Sequence, residues 1–349
     1  MYNGIEIDML SLGDADCILV SFWSGLSVYR VLIDGGNKGD APAIRAFLRG
    51  LGISSVDELL STHLHDDHSG GLIELLADET LTFGKLWCHI PHWHVEGMDK
   101  VYAALKAAGA SDEAMNIRKS LETVASLFNA AKKRGIPHEE PFKGKRIGNL
   151  EACSPTEEFY TGLVAEFTDA GKIRAEDAAQ LRYDVQTRLE EAMAKGILAD
   201  ALSGSSLLSE PHTTPENESS TVTGTMYDGK VLLFTSDAGT SALTNVASSY
   251  NNVAGVQWMQ IPHHGSRRNL TESLIETFAP KVAYVSALGN DKHPRRAVVS
   301  AFKKLGSFVF STHYPRPGHL RYYVGSVPSR TGYYAATPLW DEGKLAKLA

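Results

Sequence analysis

Ile5, Ile7 and Met9 alternate with Glu6 and Asp8 at the start of the chain, and that period of two predicts a β-strand. Two apolar runs follow, Cys17 to Phe22 and Tyr29 to Ile33, each ending at a glycine-bearing break (Gly25, then Gly35 and Gly36), so both read as strands. Ile44, Phe47 and Leu48 recur at helical spacing within 42–51, and an extended pattern returns at Glu58 to Ser61. The second half repeats this style. Residues 221–227 and 230–235 flank Asp228-Gly229, a strong hairpin signal. Strands are predicted at 255–261, 281–286, 307–311 and 321–324, with helices at 270–278 and 296–304. Two β-rich halves with interspersed helices predict an α/β protein of two packed sheets with helices outside.

The middle of the chain differs. Leu121, Val124, Leu127, Phe128 and Ala131 keep a helical period, as do Leu181, Val185 and Leu189. We read two helical insertions, roughly 95–140 and 160–212, within a single domain spanning 1–349. Lys145 to Thr156 is expected to return to the parent domain as a strand and turn, and 213–220, with Pro215, as a loop re-entering the sheet.

Subtracting 41 acidic from 34 basic residues gives a net charge of −7, and 43% hydrophobic content with 21% charged residues excludes disordered and collagen-like classes. The acidic balance argues against a protein that coats nucleic acid through bulk charge, so a phosphate-bearing substrate would need local cations. No apolar run approaches the roughly 18 residues of a membrane span. Met1 to Asp8 lacks the charged and apolar regions of an export signal. Cys17, Cys88 and Cys153 lack CxxC spacing and read as reduced thiols. A cytoplasmic protein is expected.

The chemistry concentrates at His63-Leu-His65-Asp-Asp67-His68, which follows a predicted strand and precedes a predicted helix beginning near Ser69. Three imidazoles and two carboxylates within six residues suit a borderline or harder divalent ion such as zinc, manganese or iron. Such an ion turns bound water into hydroxide at neutral pH, which favours hydrolysis of an ester, amide or phosphodiester.

His63, His65, Asp67 and His68 match HxHxDH, and here the sequence resembles the metallo-β-lactamase superfamily. The resemblance implies a four-layer αβ/βα fold with a helical insertion, and one or two divalent metal ions, zinc or manganese, as cofactor. It implies that Asp34, in Leu32-Ile-Asp-Gly-Gly36, braces the metal loop and that Asp237, in Phe234-Thr-Ser-Asp-Ala-Gly239, bridges two metals. The late histidine ligand falls at His263 or His264, in Pro262-His-His-Gly-Ser266. Successive side chains of an extended backbone point to opposite faces, so one of the pair is expected to be the ligand and the other a supporting or substrate contact. Leu12-Gly-Asp-Ala-Asp-Cys17, Asn217-Glu-Ser-Ser220 and Asn290-Asp-Lys-His-Pro294 are similar to the metallo-β-lactamase domain of ComEC-type DNA-internalisation proteins and their stand-alone relatives. Many superfamily members carry another histidine where this chain has Asn217 to Ser220, which leaves the His63 and His65 position short of a ligand, filled by water or supplied by His212 nearby in sequence.

Asn217 and Ser220 are therefore candidate substrate contacts, beside Arg267 and Arg268, which directly follow His-His-Gly-Ser. Arg295, Arg296, Arg316 and Arg321 add positive charge near the motifs, and guanidinium groups bind phosphate oxygens bidentately. His293 is a candidate proton donor to the leaving group, with Asp67 the second catalytic candidate. Asp14 and Asp16 can approach the cleft from the Gly13 loop, while His89, His92 and His94 beside Trp87 and Trp93 read as packing residues. The reading is a metal-dependent phosphodiesterase or nuclease using a metal-bound hydroxide, with single-stranded DNA or a nucleotide as substrate. The alternatives are a hydrolase of small phosphodiesters or of other esters and amides, and a non-catalytic metal-binding interaction module.

Overall fold

β1 (Gly4–Met9) is buried along its whole length. It lies antiparallel between β2 (Ile18–Ser24) and β14 (Leu320–Gly325), so the first and last described strands share one sheet. The structure, a computed structural model, describes residues 2–94, 112–166, 213–250, 255–290, 293–314, 316–330 and 339. Ile5, Ile7 and Met9 face an inner core, whereas Glu6 and Asp8 on the opposite face are also fully buried. Arginines make that burial tolerable. Arg321 pairs with Glu6, and Arg330 reaches Asp8 Oδ1 at 3.0 Å and Glu6 Oε2 at 2.7 Å. Arg321, expected beside the substrate, is thus committed to a structural ion pair.

The first sheet continues through β3 (Ser27–Ile33), β4 (Ser55–Leu60), β5 (Thr82–Trp87) and β6 (His138–Glu139), in the order β14-β1-β2-β3-β4-β5-β6. The second runs β13-β12-β11-β10-β9-β8-β7, built from β7 (Arg146–Ile147), β8 (Leu150–Ser154), β9 (Val222–Tyr227), β10 (Lys230–Phe234), β11 (Val256–Gln260), β12 (Val282–Val285) and β13 (Phe308–Ser311). The β9–β10 hairpin turns at Asp228 and Gly229, whose φ of 50° and 70° are those of a primed turn. In each sheet four neighbouring strands are parallel, β3 to β6 in the first and β10 to β13 in the second.

An inner core of Phe22, Trp87, Phe234, Trp258 and their neighbours fills the space between the sheets. A second core packs the helices Ala41–Gly50, Asp66–Leu76 and Asp112–Lys133 on the first sheet, and a third packs Thr240–Tyr250, Glu272–Phe278 and Arg296–Lys304 on the second. Helix, sheet, sheet and helix layers follow, as expected from the pattern.

Two local expectations change. The helix after the histidine cluster begins at Asp66, not near Ser69, with His65 as its N-cap. Acidic side chains at a helix start are favoured by the exposed N–H groups and the dipole, which draws Asp67 and His68 into the first turn. Residues 213–220 are not all loop: Thr214 caps a short helix, Pro215–Glu218, with proline at a position that needs no N–H donor. Within the segments expected to be helical insertions, Asp112–Lys133 is helical and packs on the helix Asp66–Leu76, and 157–166 is helical, while 95–111 and 167–212 lie outside the described residues. Leu181, Val185 and Leu189 lie outside the described residues. Gly71 allows the metal-loop helix its close approach, since a Cβ there would sit 1.9 Å from the Gly35 carbonyl oxygen.

Removing one partner of a buried ion pair strands the other charge. Arg330→Ala, which leaves Asp8 without its paired guanidinium, is expected to lower unfolding free energy by about 3–5 kcal/mol, measured by urea denaturation.

Candidate metal centre

Asp34 follows β3, His63 to His68 follow β4, Asp237 follows β10, His263 and His264 follow β11, and His293 lies beyond β12. Every one of these segments leaves the carboxyl end of a parallel strand, where open α/β sheets form their crevices. Both sheets therefore deliver ligand-type residues to one seam.

Asp34, in the left-handed region at φ 58°, is buried and braces the loop. Its carboxylate accepts from the Thr62 N–H at 2.9 Å, from the Thr62 hydroxyl at 2.8 Å and from His68 Nδ1 at 2.8 Å. The Thr62 hydroxyl in turn accepts from Ser236 Oγ at 2.6 Å, tying the β4 end to the β10 end. Because a carboxylate only accepts, Nδ1 of His68 carries its proton toward Asp34 and Nε2 faces the cleft. There it lies 3.4 Å from Asp237 Oδ1 and 3.9 Å from Asp67 Oδ2.

Two groups of ligand atoms emerge, each within 4.8 Å of one another: His63, His65 and Asp237, and Asp67, His68 and His264. Asp237 stands between them. Its Oδ2 lies 3.9 Å from His63 Nε2 and 3.6 Å from His263 Nε2, while its Oδ1 faces His68. His264 Nε2 lies 3.6 Å from Asp67 Oδ2. A third group, Asp16, Asp34 and His68, backs the second. Asp16 is buried and already accepts from the Gln260 amide at 2.9 Å and from the Ser286 hydroxyl, so it belongs to the supporting layer.

Burial pushes the His63 imidazole well below its usual range, and the neighbouring His68 and His65 push the same way. His68 moves well up instead, since Asp237 and Asp34 outweigh the burial that opposes its charge. His264 likewise rises to about 9, against burial, through Asp67, Asp16 and Asp237. Asp237 falls well below the carboxylate range despite burial, held by His263 and His68. The seam is a negative field that stabilises positive charge.

The donor set fits a divalent cation. His68 Nε2, His264 Nε2 and Asp237 Oδ1 are buried without a hydrogen-bond partner, which ordinarily costs on the order of 1–3 kcal/mol each. Nitrogen and carboxylate oxygen donors in this ratio suit zinc, manganese or iron.

The expectation that His263 and His264 point to opposite faces is overturned. Neither is extended: their φ values are 49° and 53°, and both imidazoles turn into the cleft. His293 joins them, its ring centroid 5.6 Å from that of His263 and 5.7 Å from that of His264, with Nδ1 3.9 Å from Asp14 Oδ2. Asn217 lies beside the centre, its amide nitrogen 3.3 Å from His263 Nδ1 and 3.0 Å from Thr213 Oγ1, and Ser220 is buried behind it. Arg267 and Arg268 are half-buried just beyond Gly265. The segment bearing Arg295 and Arg296 is joined to this loop by the Arg295 N–H, which donates to the Gly265 carbonyl at 3.1 Å. Arg316 is exposed. His89 is buried, stacks on Tyr160 at 4.3 Å and contacts Thr221 Oγ1 at 3.1 Å, while His94 pairs with Glu140 at 2.9 Å. Their packing role stands. Sequence reasoning missed Asn269 and the support from Gln260 and Ser286, because an isolated polar residue has no spacing signal.

A cation bound to the folded state alone is expected to stabilise it by about 2.7 kcal/mol when free zinc exceeds Kd about 100-fold. That corresponds to roughly 5–10 °C in Tm. Thermal melts with and without zinc, after chelation, check this, and Asp237→Asn is expected to lose most of the shift.

Residues 28–138 match the family model described as the metallo-β-lactamase superfamily. No curated protein matches the sequence significantly. Among solved structures, the chain is similar to YhfI, a metallo-β-lactamase fold protein from Bacillus subtilis, at 8% identity and TM-score 0.46, covering 92% of this chain and 100% of that one. It is similar to CmlA, a diiron β-hydroxylase from Streptomyces venezuelae, at 11% identity and TM-score 0.42, covering 92% of this chain and 54% of that one. It therefore spans about half the length of CmlA. A metallo-β-lactamase, MIM-1 from Novosphingobium pentaromativorans, is similar at 12% identity and TM-score 0.31, covering 86% of each chain. With two sheets between outer helices, the chain has the metallo-β-lactamase fold, and its residues 28–138, which carry His63, His65, Asp67 and His68, match that superfamily.

Proposed function

We propose that this protein is a metal-dependent phosphodiesterase. The observation that carries the substrate class is the joining of two arginine-bearing loops beside the metal centre. The hydrogen bond from the Arg295 N–H to Gly265 brings 295–296 to the loop that holds His263, His264, Arg267 and Arg268. In a protein of net charge −7, four arginines on two joined segments next to the ligand histidines favour an anionic substrate with phosphate oxygens. Superfamily members are mostly metal-dependent hydrolases, which supports the reaction class.

His63, His65, Asp67, His68, Asp237 and the late histidines would hold one or two divalent ions, zinc or manganese. When bound, such an ion supplies Lewis acidity to the scissile phosphate and activates water at neutral pH. The chain's own residues do the rest. Arg267 and Arg268 bind and orient the phosphate and Asn217 stands beside the ligand histidines, whereas Ser220, expected as a substrate contact, is fully buried and does not reach the substrate. His293, with Nδ1 toward Asp14, presents Nε2 to the leaving oxygen and protonates it. Asp34 and Thr62 hold the loop so that none of these groups must reorganise.

The sequence likeness to ComEC-type domains makes single-stranded DNA the first substrate to try, and a nucleotide the second. The experiment is manganese- or zinc-dependent cleavage of labelled single-stranded DNA beside bis(p-nitrophenyl) phosphate. Asp67→Ala is expected to lower kcat by at least about 10²-fold, with the far-ultraviolet circular dichroism unchanged. Arg267→Ala is expected to raise KM by roughly 10-fold, the loss of one charged hydrogen bond. Cleavage of both substrates supports a nuclease, and cleavage of the small diester alone supports a small-molecule phosphodiesterase. Cleavage of neither with any metal overturns the phosphodiesterase reading.

A further inference from the structure

The two adjacent histidines after β11 both enter the cleft, and each is oriented by a different neighbour. The Asn269 amide donates its Nδ2 hydrogens to the backbone carbonyls of Asp237 at 2.8 Å and Ala238 at 3.2 Å, which settles the amide's direction. Its Oδ1 therefore faces His263 Nδ1 at 2.9 Å and can only accept. His263 Nδ1 carries the proton, and Nε2 turns its lone pair to Asp237 Oδ2 at 3.6 Å. For His264 the orienting group is the Ser286 backbone carbonyl, 3.1 Å from Nδ1. Its Nε2 then faces Asp67 Oδ2 at 3.6 Å. Nε2 of His264 and Oδ2 of Asp67 are thus aimed at one point, within reach of a single cation. His264 Nε2 is buried without a hydrogen-bond partner, as is the Asp237 oxygen that faces His68.

We propose that His263 and His264 are both metal ligands, each serving a different position. His263 completes the position of His63, His65 and Asp237 Oδ2, and His264 completes that of Asp67, His68 and Asp237 Oδ1. One loop thereby closes both positions, and the shortage of ligands at the His63 and His65 position is made good by His263. Asn269 is a positioning residue for the first, acting through His263 Nδ1, as the Ser286 carbonyl is for the second. The consecutive left-handed residues, at φ 49° and 53°, make this possible, because an extended pair would send one ring away from the cleft.

The assignment rests on the metal-centre part of the proposed function and is independent of the phosphodiester part. The test is metal stoichiometry: chelated full-length protein is dialysed against buffered free zinc and its bound zinc counted by mass spectrometry. Asparagine enters the left-handed region more readily than most residues, so His263→Asn and His264→Asn remove the ring nitrogen with little backbone strain. Circular dichroism and urea midpoints establish that the variants are folded. Wild type is expected to hold two zinc ions and each variant one. Asn269→Ala is expected to keep two, with one site weakened by about 10- to 100-fold. A folded His263→Asn or His264→Asn that binds two zinc ions with wild-type affinity overturns the assignment, as does a wild type that binds only one. A wild type that binds none removes the metal reading as well. Two bound zinc ions in a protein that cleaves no phosphodiester leave this assignment standing and remove only the proposed activity.

Discussion

Asp16, Asp34 and Asp237 are all buried within one seam, and the rest of the site is arranged around that concentration of negative charge. A buried carboxylate is costly unless hydrogen bonds and opposite charge compensate it. Asp34 and Asp16 are compensated within the protein, by Thr62 and His68 in one case and by Gln260 and Ser286 in the other. Asp237 has less: among the described residues its carboxylate faces the imidazoles of His63, His68 and His263, and one oxygen has no hydrogen-bond partner. The histidines are drawn two ways by the same field. His68 and His264 are pushed toward the charged form by neighbouring carboxylates, while His63, beside other imidazoles, is pushed away from it. A divalent cation resolves that conflict, since neutral imidazoles and ionised carboxylates can then face the same charge.

The fold earns this arrangement through strand direction. Parallel strands β3 to β6 and β10 to β13 end at the same edge of the molecule, so short loops from both sheets meet without long excursions. Backbone hydrogen bonds then lock loop to loop: Thr221 N–H to Thr62 across the seam, and His263 N–H to Ser236 between neighbouring loops of the second sheet. Rigid elements hold the ligands close, which lowers the reorganisation needed when charge develops in a reaction. At the far edge of the first sheet a different solution serves a different purpose. Glu6 and Asp8 are buried against Arg321 and Arg330 and contribute nothing to the cleft, although they too are buried carboxylates.

Left-handed backbone recurs where the site is tightest, at Asp34, Ser236, His263 and His264. Such conformations are unfavourable for residues with a Cβ, and they persist only where surrounding contacts over-determine them. Here the contacts are visible: the Thr62 bonds for Asp34, the Asn269 carbonyl for His263 and the Ser286 carbonyl for His264. Each bend lets neighbouring residues in the chain aim at a common point.

Periodicity in the chain located most of the strands and helices, because alternation and helical spacing are local records of which face is buried, and the HxHxDH cluster was legible because its ligands lie within six residues. Asp237 and the paired histidines could be placed only through resemblance, since they come from distant strands and no spacing connects them. The sequence determined the ligand types, the two β-rich halves and the cationic segments. Tertiary structure alone decided that Asp237 stands between two ligand groups, that Arg321 serves Glu6, that Asn269 orients His263, and that His263 and His264 face the same cleft. The reason is physical: the direction of a side chain depends on its backbone torsion, and the left-handed torsions here are imposed by contacts from residues remote in sequence.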